Sequence, residues 1–496
     1  MVRANWGRIF AIVYLFMLCY APQVASSTSQ NNVIIAVTQL PENFSPYANS
    51  PLSLSYAHLF FDPLVRWGIN GKLEKRLLRD WRVIKPGVIR FYLKNNIYFH
   101  SGNRLTSNDV LWSYAQIKKR AKFKFFFSAI KKISRVNTHT FDIDSTLSQD
   151  ELLDYLSDFF VLDEQYYTHL NVENSPFPPI TRSTALMPMV SGTGPYKLRA
   201  FNINLALQVT ADKNYWDAQE NTLDITFLKI KSQRARVYAL LSGDVDISHA
   251  VLKKQIQSIE VEKNKQLVSI GSSRSFYLSL SGKHSSLLKV ASARKAISLA
   301  INQQGMLDNI LQGLGHINST YSPLLTRESI GLNNEYNVKK ARELLTKMEI
   351  SSQQLTLLTF KSNRVDHEEV LKALKNMLQR VGLQLLVTQT DSKDEWLKTM
   401  EHYDLTLSTW QSSLMDRKNI YKSLFADSLL APYLGPLYAA QSTLNRDDFF
   451  KKLLQQQRVI LLFSVDELWG ADRKYAFKNI FSVNEVPYWQ YLRVKK

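Results

Sequence analysis

The chain reads as an α/β protein built in two lobes. Three observations predict this. Its 496 residues exceed what one hydrophobic core usually fills. From Leu287 onward, helical and strand-like patterns alternate. The stretch Tyr475 to Tyr491, after the last helices, reads as a return to the first lobe. A hydrophobic content of 45% and a charged content of 21% fit a globular chain.

The first residues read as an address. Arg3 and Arg8 precede an apolar run from Ile9 to Tyr20, and Pro22, Ala25, Ser26 and Ser27 follow. That is the order of a secretory signal peptide, expected over residues 1–26, and the run is short for a membrane span. Bulky Leu18 before Cys19 argues against a lipoprotein. Cys19 is the single cysteine, so a cleaved chain has no disulfide, thiol nucleophile or zinc-thiolate site.

Val33-Ile34-Ile35-Ala36-Val37 reads as a buried first strand, and Leu40 to Tyr47 as a loop leaving it. Loops at strand ends of open α/β sheets face the ligand crevice, which makes Glu42 and Asn43 candidates for a binding site. Asp80 to His100 reads as strands joined at Lys85-Pro86-Gly87. Ser107-Asn108-Asp109 is expected to cap a helix from Val110. Ser175-Pro176-Phe177-Pro178-Pro179 reads as a stiff connector.

Gly192-Thr193-Gly194-Pro195 is a turn feeding a strand; polar Asp212-Lys213-Asn214 then leads into Tyr215-Trp216. A strand over Ile225–Ile230 precedes a short helix that stops at Ser242-Gly243. Val268 to Ser281 reads as strands entering the second lobe. Helices are expected over Ala291–Leu311, Val338–Met348 and His367–Val381, with strands over Leu355–Phe360 and Gln384–Thr388. That rhythm predicts a parallel or mixed sheet covered by helices.

These pieces together resemble the family 5 extracellular solute-binding proteins, the oligopeptide-, dipeptide- and nickel-type binding proteins of ATP-driven importers. The stretch from Gly192 to Ile247 is similar to the family's hallmark. Asp80 to Val110, the Val290–Asn302 helix, Asn337–Leu345 and Tyr403–Trp410 are similar to its further signatures. The resemblance implies a periplasmic-binding-protein fold of the type II, Venus-flytrap kind, with an extra subdomain in the first lobe. Lobe 1 is then expected over residues 27–270, with the subdomain at about 56–180. Lobe 2 is expected over 271–469, and the return over 470–496. It also implies a monomeric periplasmic protein that captures a peptide between its lobes and delivers it to an inner-membrane ABC permease. Extended peptides would be held largely by main-chain hydrogen bonds. The expected cleft residues are Glu42, Asn43, Tyr277, Trp410, Gln411, Ser412 and Ser413. In peptide-binding members, an aspartate after this tryptophan pairs with the ligand's α-amino group. Here that position is Ser413, and Asp416 lies three residues on.

Catalytic patterns are sparse. There is no Gly-x-Ser-x-Gly, His-Glu-x-x-His or phosphate-cradling loop. Ser128-Ala129-Ile130-Lys131 and Ser286-Leu287-Leu288-Lys289 match only a bare Ser-x-x-Lys spacing. The nine histidines show no ligand spacing, so neither enzyme activity, metal nor cofactor is expected. Lys+Arg 62 against Asp+Glu 43 gives a formal net charge of +19. The basic and aromatic run Lys118 to Phe127 has no nucleic-acid module beside it, so no nucleic-acid partner is expected. Two rivals remain. One is the same fold carrying a nickel chelate, haem, a glutathione-like or an acidic solute; the other is a non-transport protein whose basic surface holds an anionic polymer or membrane.

Overall fold

In the computed structural model, residues 31–47, 51–118, 128–170, 190–271, 274–281, 285–317, 335–350, 352–361, 365–427, 429–441 and 443–495 are described. The expected leader, most of the Lys118–Phe127 run and the Ser175–Pro179 connector lie outside them. Two sheets organise the chain. The first has seven strands in the order Lys265–Ile270, Glu467–Asp472, Ile247–His249, Asn32–Val37, Asp224–Lys229, Ala206–Ala211, Tyr196–Asn202. The second has six, in the order Gly315–Ile317, Val459–Val465, Ser275–Leu280, Leu405–Trp410, Gln353–Phe360, Leu383–Thr390. Each lies against its own apolar cluster, one including Val33, Ile35 and Phe227, the other Leu278, Leu357 and Leu407. The fold is therefore two-lobed α/β. The chain leaves the first sheet after Ile270, enters the second at Ser275 and returns through Asp466.

The second sheet is mixed, as its rhythm predicts. Gln353–Phe360 runs parallel to both Leu383–Thr390 and Leu405–Trp410, while Ser275–Leu280 is antiparallel to its neighbours. Helix Val365–Gln379 supplies the crossover between the parallel strands, and Gly382 (φ 85°) turns the chain out of it.

Two local expectations need correction. The single helix expected over Ala291–Leu311 is two, Ala291–Ala300 and Gln303–Asn309. Asn302 divides them: its side chain accepts from Gly305 N at 2.8 Å, and N-capping starts a new helix. The helix expected from Val110 begins at Ser107. Its cap is Thr106, whose Oγ1 accepts from Asn108 N, while Asp109 reaches back to Thr106 N.

A four-stranded antiparallel sheet, in the order Leu78–Lys85, Val88–Leu93, Thr140–Ser145, Ile130–Asn137, forms a smaller unit with helices Ser107–Lys118 and Gln149–Leu156. Its two outer strands carry exposed Arg79, Arg82, Lys85, Lys131, Lys132 and Arg135. Exposed charges along these outer strands, mostly basic with Asp80 among them, discourage pairing with another sheet.

The glycine and aromatic motifs converge on one buried carboxylate. Asp62, which lies just beyond helix Pro51–Phe60, accepts from Tyr215 OH at 3.0 Å, Trp216 Nε1 at 2.9 Å and Thr193 Oγ1 at 3.4 Å. Arg76 supplies the countercharge at 3.1 Å and also binds Asp217 at 2.8 Å. A buried charge persists only when paired and hydrogen-bonded, and this knot satisfies both conditions. Gly192 and Gly194 let the loop pass the end of helix Pro51–Phe60. A Cβ would fall 2.1 Å from Phe60 O at Gly192, and 2.4 Å from Phe60 C at Gly194.

Candidate functional site

A cavity of about 1170 Å³ opens where the two sheets meet. Strands Asn32–Val37 and Ile247–His249 run parallel, and the loops leaving their carboxyl ends, Thr38–Asn43 and Ala250–Lys253, form one wall. Ligand crevices of open α/β sheets lie at this end of the strands. Ile310, Leu311 and Leu314 face them from the second lobe, and Arg274 and Asp466, on the two crossings, complete the floor.

One buried side chain shapes the first wall. Arg236, on helix Gln233–Ser242, is fully buried. Its Nε donates to His249 O at 2.8 Å and its Nη2 to Ala250 O at 3.3 Å. Its Nη1 donates to Ile230 O and Lys231 O at 2.8 and 3.1 Å. Burial pushes its pKa down to about 10, and no carboxylate offsets that cost. The guanidinium instead ties together two cavity loops through their carbonyls. Ala250 is held with φ 54°, in the left-handed region that non-glycine residues avoid. Glu485, another lining residue, has φ 69°. Such backbone persists only where surrounding contacts over-determine it, as at ligand sites.

The cavity carries both signs of charge. Lys229, Lys231, Lys253 and Arg274 line it, as do Glu42, Asp466, Glu467 and Glu485. Lys253 reaches across to the second lobe, donating to Asn309 O at 3.1 Å and to Ile310 O. These carbonyls end helix Gln303–Asn309, where the helix dipole favours a cation. His249 Nε2 lies 2.6 Å from Glu467 Oε1, and its ring packs on Trp469 with centroids 4.3 Å apart.

Of the residues expected at the cleft, Glu42 and Asn43 line this cavity. Asn43 also shapes its loop, accepting from Ser45 N at 3.0 Å. Gln411 stands behind the wall: it donates to Glu485 at 2.9 Å and accepts from Arg274 at 3.4 Å, holding two lining charges together. Tyr277 and Trp410 are buried in an apolar cluster with Leu414 and Ile420. Ser412 accepts from Leu414 N at 3.1 Å. Ser413 donates to Asp158 at 2.6 Å, and Asp416 caps helix Arg417–Asp427 by accepting from Asn419 N at 3.0 Å. Tyr277, Trp410, Ser412, Ser413 and Asp416 are not among the residues that line this cavity; Ser413 and Asp416 instead touch the smaller unit, through Asp158 and Asp154. Asp154 is the centre of that contact. It accepts from Trp67 Nε1, Met415 N, Asp416 N and Asn419 Nδ2, all at 2.9–3.1 Å. Sequence reasoning missed Arg236, Asp154, His249 and Asp466. Asp416 carried a readable signal, an aspartate three residues before the amide it caps.

The profile of the bacterial extracellular solute-binding proteins, family 5 Middle, matches residues 72–429. The chain belongs to this family. Family 5 proteins are the solute-binding components of ABC importers and act outside the cytoplasm, extracellularly or in the periplasm. The nickel-binding protein NikA of Staphylococcus aureus is 22% identical over 394 residues, covering 77% of this chain and 74% of that protein. Di/tripeptide-binding protein 1 of Pseudomonas aeruginosa is 21% identical over 443 residues, covering 82% and 80%. Among solved structures, the periplasmic binding protein DppA of Helicobacter pylori, in complex with the peptide STSA, superposes with a TM-score of 0.75. That match has 17% identity and covers 94% of this chain and 98% of DppA. At that identity the likeness establishes the family 5 fold and leaves the solute to be read from the site.

Proposed function

We propose that this family 5 protein captures peptides in the cavity between its lobes and delivers them to an inner-membrane ABC permease, performing no bond-making itself. On this reading residues 1–26 are a cleaved signal peptide and the protein works in the periplasm. The cavity carries the proposal. Its volume of about 1170 Å³ stands just above the usual range for small-ligand sites, roughly 300–1,000 Å³, so it holds a ligand larger than one amino acid together with water. Its four cationic and four carboxylate side chains suit a zwitterion, whose two ends need opposite partners. Ligand contacts to both walls stabilise the closed form over the open one, which couples capture to docking. Glu42, Asn43 and Gln411 act at this cavity, directly or through its lining charges. Ser413 and Asp416 serve closure, by seating the second lobe on the smaller unit.

Mass spectrometry of solute retained by gently purified protein tests this, together with calorimetric titration of a peptide library against stripped protein. Peptides in the retained fraction, and micromolar or tighter binding, are expected. A retained nickel chelate or other non-peptide solute, with no peptide binding, sinks the peptide reading and leaves the family assignment standing.

A further inference from the structure

The four-stranded sheet of the smaller unit has one face opposite its core. Along strand Val88–Leu93, Ile89, Phe91 and Leu93 are buried, and Val88, Arg90 and Tyr92 alternate with them on the other face. Register places Arg82 and Lys85 beside Arg90 and Val88 at one edge of that face. At the other edge it places Lys132 beside Asp144, which in turn pairs with Val88. The guanidinium carbons of Arg79 and Arg82 lie 5.7 and 5.6 Å from the centre of the Tyr92 ring, so Arg79 joins this face.

The nearby carboxylates have cations of their own. Asp142 pairs with Arg90 at 2.8 Å, Asp80 with Lys75 at 2.9 Å, and Asp144 stands 4.0 Å from Lys131. Arg79, Arg82, Lys85 and Lys132 are exposed and form no ion pair among the described residues. At the Lys85 end of the sheet the ladder is irregular between Val83 and Lys85, just ahead of the turn at Pro86-Gly87. Val83 and Ile84 are 57% and 41% exposed there, two adjacent apolar side chains between Arg82 and Lys85. Charges alone guard a sheet edge, and bare apolar side chains work against that protection. The tip therefore calls for a partner that is anionic and apolar at once.

We propose that this face and its tip dock on a lipid bilayer that carries anionic headgroups. Such a bilayer presents phosphates at its surface and hydrocarbon just beneath, so it takes the four cations and the two apolar side chains together. A soluble polyanion would meet the cations and leave Val83 and Ile84 in water. The family acts outside the cytoplasm and serves importers, so a membrane lies within reach. Docking of this kind is reversible and salt-sensitive, and it stands whether or not the cavity takes a peptide.

Vesicle flotation with the exported protein tests this, comparing equal parts of phosphatidylglycerol and phosphatidylcholine with phosphatidylcholine alone. Wild type is expected to bind the anionic vesicles about tenfold or more tighter than the neutral ones, and to lose most of that binding in molar salt. Arg82→Glu combined with Lys85→Glu and Lys132→Glu should weaken it about tenfold or more. Lys372→Glu combined with Lys375→Glu and Arg380→Glu, an equal charge change at exposed positions of the second lobe, should leave it within about twofold. Val83→Ser with Ile84→Ser should bind anionic vesicles about fivefold more weakly, yet bind inorganic polyphosphate in solution as wild type does. Should the first charge reversal fail to fold in a thermal melt, Lys85→Gln with Lys132→Gln takes its place, with a loss of about fourfold expected. Equal binding of wild type to the two kinds of vesicle, or an equal loss in the two charge reversals, overturns the docking surface. So does vesicle binding by Val83→Ser with Ile84→Ser that matches wild type, which would leave only a site for polyanions.

Discussion

Asp109 shows how one carboxyl records its surroundings. It closes the cap of helix Ser107–Lys118 and accepts from Thr106 N, Thr106 Oγ1 and Glu164 N. Burial nevertheless raises its pKa to about 6, because desolvation outweighs three hydrogen bonds that favour the charged form. Its folded pKa therefore lies above its unfolded value. The stability it contributes is fully present below about pH 4 and is lost as pH rises through 6, a change of roughly 2 kcal/mol. Asp109→Asn has no such titration. Urea melts of both proteins at pH 4 and pH 7 should show the destabilisation by Asp109→Asn shrinking by about that amount at the higher pH. A constant difference would mean that the carboxyl titrates normally. Arg236 teaches a related lesson: its role in joining two loops follows from a side chain with five donors among carbonyls, and nothing in Gln233-Arg234-Ala235-Arg236 marks it out from Arg234, which stays exposed.

The glycine motif and its partners show what a motif's spacing does in space. Gly192 and Gly194 lie against the backbone at Phe60, so an added methyl meets atoms that cannot rotate away. Gly243 ends helix Gln233–Ser242 with φ 86° and has open space around its Cβ position. Gly194→Ala is expected to cost upwards of about 3 kcal/mol, through a clash that shifts two segments. Gly243→Ala should cost only about 1 kcal/mol, the ordinary penalty of a left-handed alanine. Denaturant midpoints of the two variants check this, and equal losses would contradict it. The motifs announced that these segments matter, yet they did not say to what. Asp62 and Arg76 lie more than a hundred residues from Thr193, Tyr215 and Trp216 along the chain, and their pairing exists only once the chain has folded. The helix expected over Ala291–Leu311 failed for a more local reason. Its apolar pattern continues through Ile301-Asn302, but the Asn302 side chain competes for backbone amides and restarts the helix.

Across the molecule, the second lobe meets the smaller unit through polar groups that are nearly all satisfied. Asn419 is fully buried; its Nδ2 donates to Glu151 O at 2.8 Å and to Asp154 Oδ2 at 2.9 Å. Lys422 adds an ion pair to Glu151 at 3.3 Å. Asn419→Ala removes two donors from buried acceptors and should lower stability by about 2–3 kcal/mol. Hydrogen exchange should rise together in helices Gln149–Leu156 and Arg417–Asp427, since one contact protects both. Faster exchange in only one helix would show that they are held separately. The residues of this contact are not among those that line the cavity.

Periodicity, turn chemistry and motif order were enough to read the α/β class, most strands and helices, the mixed second sheet and the family, because those signals are local or recur at fixed spacing. That Glu42 and Asn43 lie on a loop leaving the end of the first strand, beside a crevice, was legible for the same reason. The partners of Ser413 and Asp416, the contact between His249 and Glu467, and the clamp made by Arg236 were not legible. Each depends on which distant backbone or side chain arrives beside it, and burial and hydrogen-bond satisfaction are properties of the assembled neighbourhood that no single stretch of chain contains.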